Sequence, residues 1–266
     1  MISLTDVSHV YETDAGDAVE ALSDVTLSIA DAEIVCLVGP SGCGKSTLLR
    51  ILAGFLPASS GEILVGGAPV AGADPDRGVV FQQPTLFPWY TVRENVRLSY
   101  RYSGDEEQKV AADELIELVG LDDAVDRLPH ELSGGMQQRT QIARVLAAGP
   151  SYVLMDEPFG ALDPFTREQL QAELLRVWGR DRPTIVFVTH SVEEALLIGH
   201  RVVVMAARPG RVIEDVRVPE HLRVSAEGVS RETVQADLRA ATADPDFVAL
   251  RHQVTEAINA AHVVGA

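Results

Sequence analysis

Hydrophobic and polar positions follow more than one period along this chain. Residues 25–29 alternate apolar and polar side chains, and residues 62–65 form another short extended run, as half-buried antiparallel strands do. Nearly continuous apolar runs are typical of strands buried on both faces, and they occupy residues 33–38, 79–81, 152–155, 184–189 and 202–205. Helical segments separate these runs. The pattern predicts an α/β fold with a mostly parallel sheet and an N-terminal antiparallel β-subdomain.

The stretch from about residue 91 to 148 contains no comparable apolar run. Within it, apolar residues recur at helical spacing up to Val119, and Gly120 is well placed to end that helix. We therefore predict an all-helical insertion at about 91–148 inside a core domain that covers residues 1–219. Residues 220–266 are polar with a helical pattern near 247–258, and they are predicted to form a helical C-terminal tail.

Composition limits the kinds of partner that the protein could bind and the compartment in which it could work. The net charge is −17, which would repel a phosphate backbone, so a nucleic-acid partner is not expected. The chain has two cysteines, Cys36 and Cys43, and no basic and apolar leader at its N-terminus, a combination that favours a reducing cytoplasm. No run approaches the roughly 20 apolar residues that span a bilayer. We expect a soluble, cytoplasmic protein.

A glycine-rich turn joins the apolar run at 33–38 to a helical segment at 48–52. It fits the pattern G-x-x-x-x-G-K-[ST] and consists of Gly39, Pro40, Ser41, Gly42, Cys43, Gly44, Lys45 and Ser46, followed by Thr47. In such a turn the backbone N–H groups point at phosphate oxygens and the next helix offers its positive end. Lys45 is predicted to lie between the β- and γ-phosphates and the Ser46 hydroxyl to ligate Mg²⁺. The strand–loop–helix order favours a nucleotide site over an ordinary turn.

An acidic pair, Asp156 and Glu157, ends the apolar run at 152–155. Ligands of open α/β sheets bind at the carboxyl ends of the strands. Asp156 suits the Mg²⁺ shell, and Glu157 can act as the general base that polarises a water aimed at the γ-phosphate. Alone, such a pair is typical of a helix cap or a solvated turn. Together with the phosphate loop, it is predicted to complete a nucleoside-triphosphate site.

These two motifs would fit any phosphate-loop ATPase, and a third one narrows the choice. Residues 132–139 read Leu-Ser-Gly-Gly-Met-Gln-Gln-Arg and precede a predicted helix at 136–147. Ser133 suits the N-cap of that helix, which explains the serine but not the residues after it. The motif resembles the signature sequence of the ATP-binding-cassette (ABC) superfamily, and the resemblance extends from residue 4 to about 219.

The resemblance implies a phosphate-loop NTPase core in which two subunits enclose two nucleotides. It implies that the signature faces the γ-phosphate bound by the opposite subunit; the residues concerned are Ser133, Gly134, Gly135 and Gln137. Tyr11 occupies the place of an aromatic residue that stacks on adenine, although a lone tyrosine could equally be a core or surface residue. Gln82 matches a glutamine that contacts Mg²⁺ or the attacking water beside the membrane-subunit contact, and the adjacent Gln83 is the alternative.

Two further loops carry the resemblance. Ala161-Leu162-Asp163 matches the loop that reaches across the dimer, so Asp163 is expected to act at the nucleotide of the partner subunit. His190 follows the apolar run at 184–189 and matches the histidine that contacts the γ-phosphate and orients the catalytic residues. A lone histidine after a strand is usually structural. Its position among the other motifs favours the functional interpretation.

The resemblance can be narrowed within the superfamily. Residues 86–89 (Leu-Phe-Pro-Trp), 91–96, 157–163 and 203–211 resemble importers of nitrate, taurine and other alkyl sulfonates. That subfamily also includes importers of bicarbonate and pyrimidine precursors, and the ATPase never touches the solute. Phe165-Thr166-Arg167 is bulkier than this family leads us to expect. Phe87 and Trp89 lie in a proline-bounded loop and are predicted to be exposed for a protein contact; internal packing is the alternative.

The resemblance implies an ATP-binding and ATP-hydrolysing subunit that powers uptake of a small anion. We expect a homodimer on the inner face of the cell membrane, docked on integral-membrane permease subunits and served indirectly by a solute-binding protein. An exporter ATPase is the nearest alternative. Cassettes that act on DNA or the ribosome carry long coiled-coil inserts or two cassettes in tandem and tend to be basic, whereas this chain has one cassette, no long heptad run and a net charge of −17. Modules that bind ATP without hydrolysing it lose the base or the signature serine, whereas Glu157, Ser133 and His190 are all present here.

Overall fold

The computed structural model describes residues 1–12, 18–160 and 162–264. The chain forms two compact units. Unit 1 comprises Met1–Asp74, Pro183–Val224 and Ala236–Ala266, and unit 2 comprises Pro75–Arg182 and Ser225–Gln235.

The strands, in chain order, are β1 (Ile2–Glu12), β2 (Ala18–Ile29), β3 (Ile34–Val38), β4 (Ser60–Val65), β5 (Ala68–Pro69), β6 (Arg77–Val80), β7 (Tyr152–Asp156), β8 (Thr184–Val188), β9 (Arg201–Ala206) and β10 (Arg211–Arg217). The α-helices are α1 (Lys45–Leu52), α2 (Val92–Val96), α3 (Leu98–Ser103), α4 (Glu106–Leu118), α5 (Gly134–Ala147), α6 (Pro164–Asp181), α7 (Val192–Ile198), α8 (Arg231–Thr242) and α9 (Pro245–Val264).

Unit 1 begins with an antiparallel sheet in the order β2-β1-β4-β5. Ile2 pairs with Ile29 of β2 on one side and with Val65 of β4 on the other. The first part of β1 buries Ile2, Leu4 and Val7, which gives the sheet one apolar face, as a half-solvated antiparallel sheet requires. The predicted N-terminal antiparallel β-subdomain is thus confirmed.

Unit 1 also contains a second sheet region in the order β10-β9-β3-β8, in which β3 pairs parallel with both β8 and β9. Every residue of these three parallel strands is buried, because helices cover them: α7 packs on β3 and α9 packs on β9. Continuous apolar runs are what such doubly covered strands need. Strand β10 was not predicted; it pairs antiparallel with β9 and its residues are mostly exposed, so its apolar signal is weak.

Unit 2 combines a parallel pair, β6 and β7, with the helices α2 to α6. Helix α5 packs against α2, α4 and β6. A Cβ atom at Gly78 in β6 would lie 2.7 Å from Val145 Cγ1 of α5, so a glycine allows this close approach. Over the predicted insertion at 91–148, the regular elements of the described chain are all helical. Helix α4 ends as predicted, with Gly120 at φ +65°.

The C-terminal residues contribute to both units. In unit 1, α9 buries Phe247 and Val254. Arg251 lies 3.7 Å from Glu193 of α7, and the Gln253 amide donates to Glu214 of β10 at 2.6 Å. In the part of the chain that the structure describes, no helix is both long and apolar enough to cross a membrane. The boundary at 219 and the separate tail stay predictions.

Phe187 is 0% exposed in β8, and its substitution tests how much the parallel sheet contributes to stability. Phe187→Ala should lower the free energy of unfolding by about 3–5 kcal/mol, because it removes apolar contacts and leaves a cavity. The matched control is Phe55→Ala, since Phe55 is 50% exposed and should change stability by about 0.5 kcal/mol or less. Urea unfolding followed by circular dichroism measures both; equal effects would contradict this assignment of the core.

Candidate nucleotide site

The phosphate loop in unit 1 is built from backbone that leaves no room for side chains at two points. Gly39 has φ +151°, and a Cβ atom there would lie 2.3 Å from the Met205 carbonyl oxygen. Gly44 has φ +86°, and a Cβ atom there would lie 2.5 Å from Leu22 Cδ2. These conformations and contacts are accessible only to glycine. The loop therefore packs closely against β9 at Gly39 and against β2 at Gly44.

Lys45 begins α1, and its ammonium is held by the loop itself. Its Nζ donates to the carbonyl oxygen of Gly39 at 2.9 Å and to that of Pro40 at 3.1 Å, and it lies 3.4 Å from Cys43 Sγ. The N-cap residue Gly44 has no side chain that could bond to the first turn of α1. The start of this helix thus combines a cation with backbone N–H groups, the arrangement that binds phosphates.

Tyr11 lies at the far end of β1, next to the phosphate loop. Its hydroxyl is 3.3 Å from Thr47 Oγ1, and the ring of His9 meets it edge to face with centroids 4.5 Å apart. The tyrosine is partly exposed. Its position therefore leaves a ring surface beside the loop, as the adenine-stacking role requires.

His190 also belongs to unit 1, and hydrogen bonds fix the backbone on both sides of it. The Thr189 hydroxyl donates to the buried Glu194 carboxylate at 2.5 Å and accepts from the Ser191 N–H at 3.0 Å. Ser191 caps α7 by accepting from the Glu194 N–H at 3.2 Å. His190 itself is exposed. The side chain is thus presented at the carboxyl end of β8 on a fixed backbone.

In unit 2, Asp156 ends β7 and Glu157 follows in a left-handed conformation with φ +45°. Both are half-buried. The Gln82 amide donates to Glu157 Oε2 at 3.1 Å, which supports Gln82 over Gln83 as the functional glutamine. A non-glycine residue with positive φ is strained, and such strain concentrates at functional sites. The backbone here turns the Glu157 carboxylate toward Gln82.

The signature residues lie at the N-terminus of α5. Ser133 caps this helix by accepting from the Met136 N–H at 3.3 Å, and Ser133 and Gly134 are exposed. The Gln137 amide donates to the carbonyl oxygens of Pro129 at 2.8 Å and Leu132 at 3.4 Å. Gln137 thus also holds the segment that leads into the signature, in addition to any role at a nucleotide.

Asp163 caps α6 in the same way, accepting from the Thr166 N–H at 3.0 Å. The hydrogen bond from Thr166 lowers the pKa of the Asp163 carboxyl. Phe165, in the first turn of α6, is exposed. Ala161, the first residue of the predicted cross-dimer loop, lies outside the described residues.

A family model described as "ABC transporter" matches residues 22–160. This chain belongs to the ABC transporter family. It is 44% identical over 261 residues to a taurine import ATP-binding protein of Roseobacter denitrificans, which covers 97% of this chain and 93% of the relative. It is also 44% identical over 256 residues to the taurine import ATP-binding protein of Rhizobium johnstonii, covering 96% and 95% of the two chains.

Solved structures lead to the same family. A dimeric ATP-binding cassette in a post-hydrolysis state, bound to ADP and Pi, is similar with a TM-score of 0.74 and 33% sequence identity. The similarity covers 82% of this chain and 99% of that cassette. The predicted fold class, ATP binding and ATPase activity are therefore confirmed. This ABC ATPase couples ATP hydrolysis to transport.

The predicted site residues of the ABC ATPase divide between the two units. Unit 1 holds Tyr11, the phosphate loop and His190; unit 2 holds Gln82, Asp156, Glu157, Asp163 and the signature residues. Sequence analysis missed the polar residues that position them, among them Thr189 and Glu194. The signal for Glu194 is that one carboxylate lies among the buried, otherwise apolar residues of α7.

Lys45→Ala tests the phosphate loop. Because a hydrogen bond to a charged group contributes about 1.5–3 kcal/mol, ATP affinity should fall roughly 10- to 100-fold, or turnover should be lost, with the fold intact. The control is Lys109→Ala, the other lysine of the chain, which pairs with Glu106 on α4 and should bind ATP like the parent. Nucleotide titration and an ATPase assay measure both. A Lys45→Ala variant with parental affinity and turnover would rule out the assignment.

Proposed function

We propose that this ABC ATPase powers the import of taurine or a closely related small sulfonate. The observation that carries this proposal is 44% identity to taurine import ATP-binding proteins over 97% of the chain. The Leu-Phe-Pro-Trp motif at 86–89 and the subfamily resemblance support the same solute class. Nitrate, bicarbonate and pyrimidine precursors are the solutes to be tested against taurine.

The working assembly that we propose is a homodimer docked on membrane permease subunits at the cytoplasmic face, with a separate solute-binding protein on the other side. Dimerisation is supported by the dimeric state of the similar cassette. Ser133 and Asp163 are exposed helix N-caps, so they can be reached by a nucleotide held on a second copy. In this arrangement Gly134, Gly135 and Gln137 join Ser133 at the γ-phosphate.

Mg²⁺ is the metal that we propose for the nucleotide, with Ser46, Gln82 and Asp156 as its protein ligands. The chemistry of this donor set fits the ion, because hydroxyl, amide and carboxylate oxygens are the ligands that a hard cation prefers. When bound, Mg²⁺ neutralises charge on the β- and γ-phosphate oxygens. Ser46 lies in the first turn of α1, and Asp156 lies at the carboxyl end of β7.

For hydrolysis, we assign the general base to Glu157. Its carboxylate accepts a proton from the water that attacks the γ-phosphorus, while the bond to the β-phosphate oxygen breaks and ADP and phosphate result. Gln82 contributes by donating to Glu157 Oε2 at 3.1 Å, which fixes the carboxylate. Lys45 and the loop N–H groups stabilise the phosphate charge, Tyr11 stacks on the adenine, and His190 contacts the γ-phosphate.

The proposed permease contact is the aromatic strip, defined as Phe87, Trp89 and Tyr90. Trp89 is 65% exposed. Phe87 is half-buried, so the expectation of an exposed ring was wrong for it: the ring packs on Trp89 and Tyr90 and lies under the Arg144 guanidinium. The buried Asn95 amide holds the strip by donating to carbonyl oxygens of Phe87 and Tyr90. A fixed, exposed indole is suited to a protein partner.

Glu157→Gln tests the proposed chemistry. The amide keeps the side-chain shape but cannot accept the proton, so hydrolysis should fall by about 10² to 10⁴ while ATP still binds. ATP that is bound and not cleaved should stabilise a closed dimer by mass action. We expect the variant to be dimeric with Mg-ATP and monomeric without it by light scattering, and Ser133→Arg added to it should abolish that dimer.

The solute is tested with the same variant in the assembled transporter. Membrane vesicles that carry the parent ATPase and its permease should take up radiolabelled taurine with ATP, and vesicles with Glu157→Gln should not. Nitrate and bicarbonate should not compete with taurine. Parental hydrolysis by Glu157→Gln would mean that another residue is the base, and competition by nitrate instead of sulfonates would replace the proposed solute.

Trp89→Asp tests the aromatic strip as a permease contact. A carboxylate cannot fill an apolar contact without desolvation, so permease association or transport should be lost, while the isolated subunit binds ATP like the parent. Val248→Asp, at another exposed apolar residue, is the matched control and should assemble normally. Co-purification with the permease reports the result. Normal assembly and transport by Trp89→Asp would place the docking site elsewhere.

A further inference from the structure

One buried side chain of α5 forms hydrogen bonds with both ends of the loop that carries Gln82. Gln141 is 0% exposed. Its Nε2 donates to the Phe81 carbonyl oxygen at 2.8 Å. Its Oε1 accepts from the Thr85 N–H at 2.8 Å and from the Thr85 hydroxyl at 2.9 Å. The carboxamide therefore closes a five-residue loop, 81–85, and Gln82 lies directly after one of the two fastened residues.

Two neighbouring residues on the same face of α5 form further hydrogen bonds with the ends of this loop. Gln138 Nε2 also donates to the Phe81 carbonyl oxygen, at 3.2 Å. The Arg144 guanidinium donates to the Thr85 carbonyl oxygen at 2.9 Å and to its hydroxyl at 3.1 Å. Positions 138, 141 and 144 are three residues apart, so they share one side of the helix.

The chemistry at position 141 requires a carboxamide. It must donate at one end of the loop and accept at the other, and a glutamine carries both functions within one planar group. An ionised glutamate has no donor for Phe81, and a methionine offers neither function at comparable strength. Losing the acceptor removes the partner of the Thr85 N–H, whereas the Phe81 carbonyl oxygen keeps its bond from Gln138. Of the three side chains, Gln141 is the one that contacts both ends of the loop.

We propose that Gln141 is a positioning residue for hydrolysis: through Phe81 and Thr85 it sets where Gln82 lies, and through Gln82 it orients Glu157. The Gln82 amide reaches Glu157 Oε2 at 3.1 Å, so the contacts run continuously from Gln141 to the proposed base. Helix α5 also begins at the signature serine. The same helix therefore carries the signature and the Gln82 loop. This inference rests on the proposed roles of Gln82 and Glu157.

The first test is Gln141→Met, which keeps the side-chain volume and removes both hydrogen-bonding functions. Because a misplacement of about 1 Å can cost on the order of a hundredfold in rate, kcat for ATP hydrolysis should fall at least about tenfold. KM for ATP should stay at the parental value, since the phosphate loop is untouched. Gln141→Glu, which keeps the acceptor, should have an intermediate kcat. Gln171→Met, at a buried glutamine of α6, is the control for a general loss of stability and should keep the parental kcat.

A double-mutant cycle with Gln82→Ala separates positioning from a structural effect. If Gln141 acts through Gln82, the double variant Gln82→Ala/Gln141→Met should hydrolyse ATP as fast as Gln82→Ala alone. A further multiplicative fall in kcat, or a parental kcat for Gln141→Met beside an impaired Gln82→Ala, overturns the inference alone. A parental kcat for Gln82→Ala overturns the proposed role of Gln82, and the inference with it.

Thr85→Val keeps the proposal testable if Gln141→Met does not fold. It removes only the hydroxyl that donates to Gln141 Oε1, at nearly constant volume. We expect a smaller fall in kcat than for Gln141→Met, and no fall in the Gln82→Ala background. A fall of the same size in both backgrounds would contradict the positioning role.

Discussion

The part of the nucleotide site that lies in unit 1 depends on β3, a strand that is buried on both faces and is followed directly by a glycine. Strand β3 lies between two parallel neighbours, and the chain leaves it through Gly39, where the Met205 carbonyl of β9 allows no Cβ atom. The position of the loop is therefore set by the sheet and not by the loop alone. Strands β3 and β8 are parallel neighbours, and parallel strands present their carboxyl ends at one edge of the sheet. The segments that carry Lys45 and His190 therefore both leave unit 1 strands at the same edge.

Buried polar side chains hold the loops that the sheet itself does not position. Glu194 holds Thr189 beside His190, Gln141 holds the ends of the Gln82 loop, and Asn95 holds the aromatic strip. A buried polar group must find its partner or destabilise the fold. Each of these residues therefore holds the backbone beside an exposed side chain of the proposed sites, as pre-organised sites require.

The helix caps link local structure to assembly. Ser133 and Asp163 each satisfy an N–H group of their own helix, as any cap does, yet both are exposed at a helix N-terminus. Such a terminus favours an anion. The proposed contact of Ser133 and Asp163 with the nucleotide of a second chain is compatible with this capping role, and cap geometry alone does not distinguish the two.

The sequence by itself determined the parallel strands, the helical insertion, the phosphate loop, the acidic pair and the signature, since periodicity and motif order are local properties. It could not place β10, whose alternate residues are exposed at the sheet edge. It also misjudged Phe87, whose half-buried ring packs on its neighbours Trp89 and Tyr90 and lies under Arg144 of α5. Only the tertiary structure showed the left-handed backbone at Glu157. The same is true of the hydrogen bond from Gln141 to Phe81, 60 residues away. Contacts over such distances depend on which elements pack together, and neither propensity nor spacing records that packing.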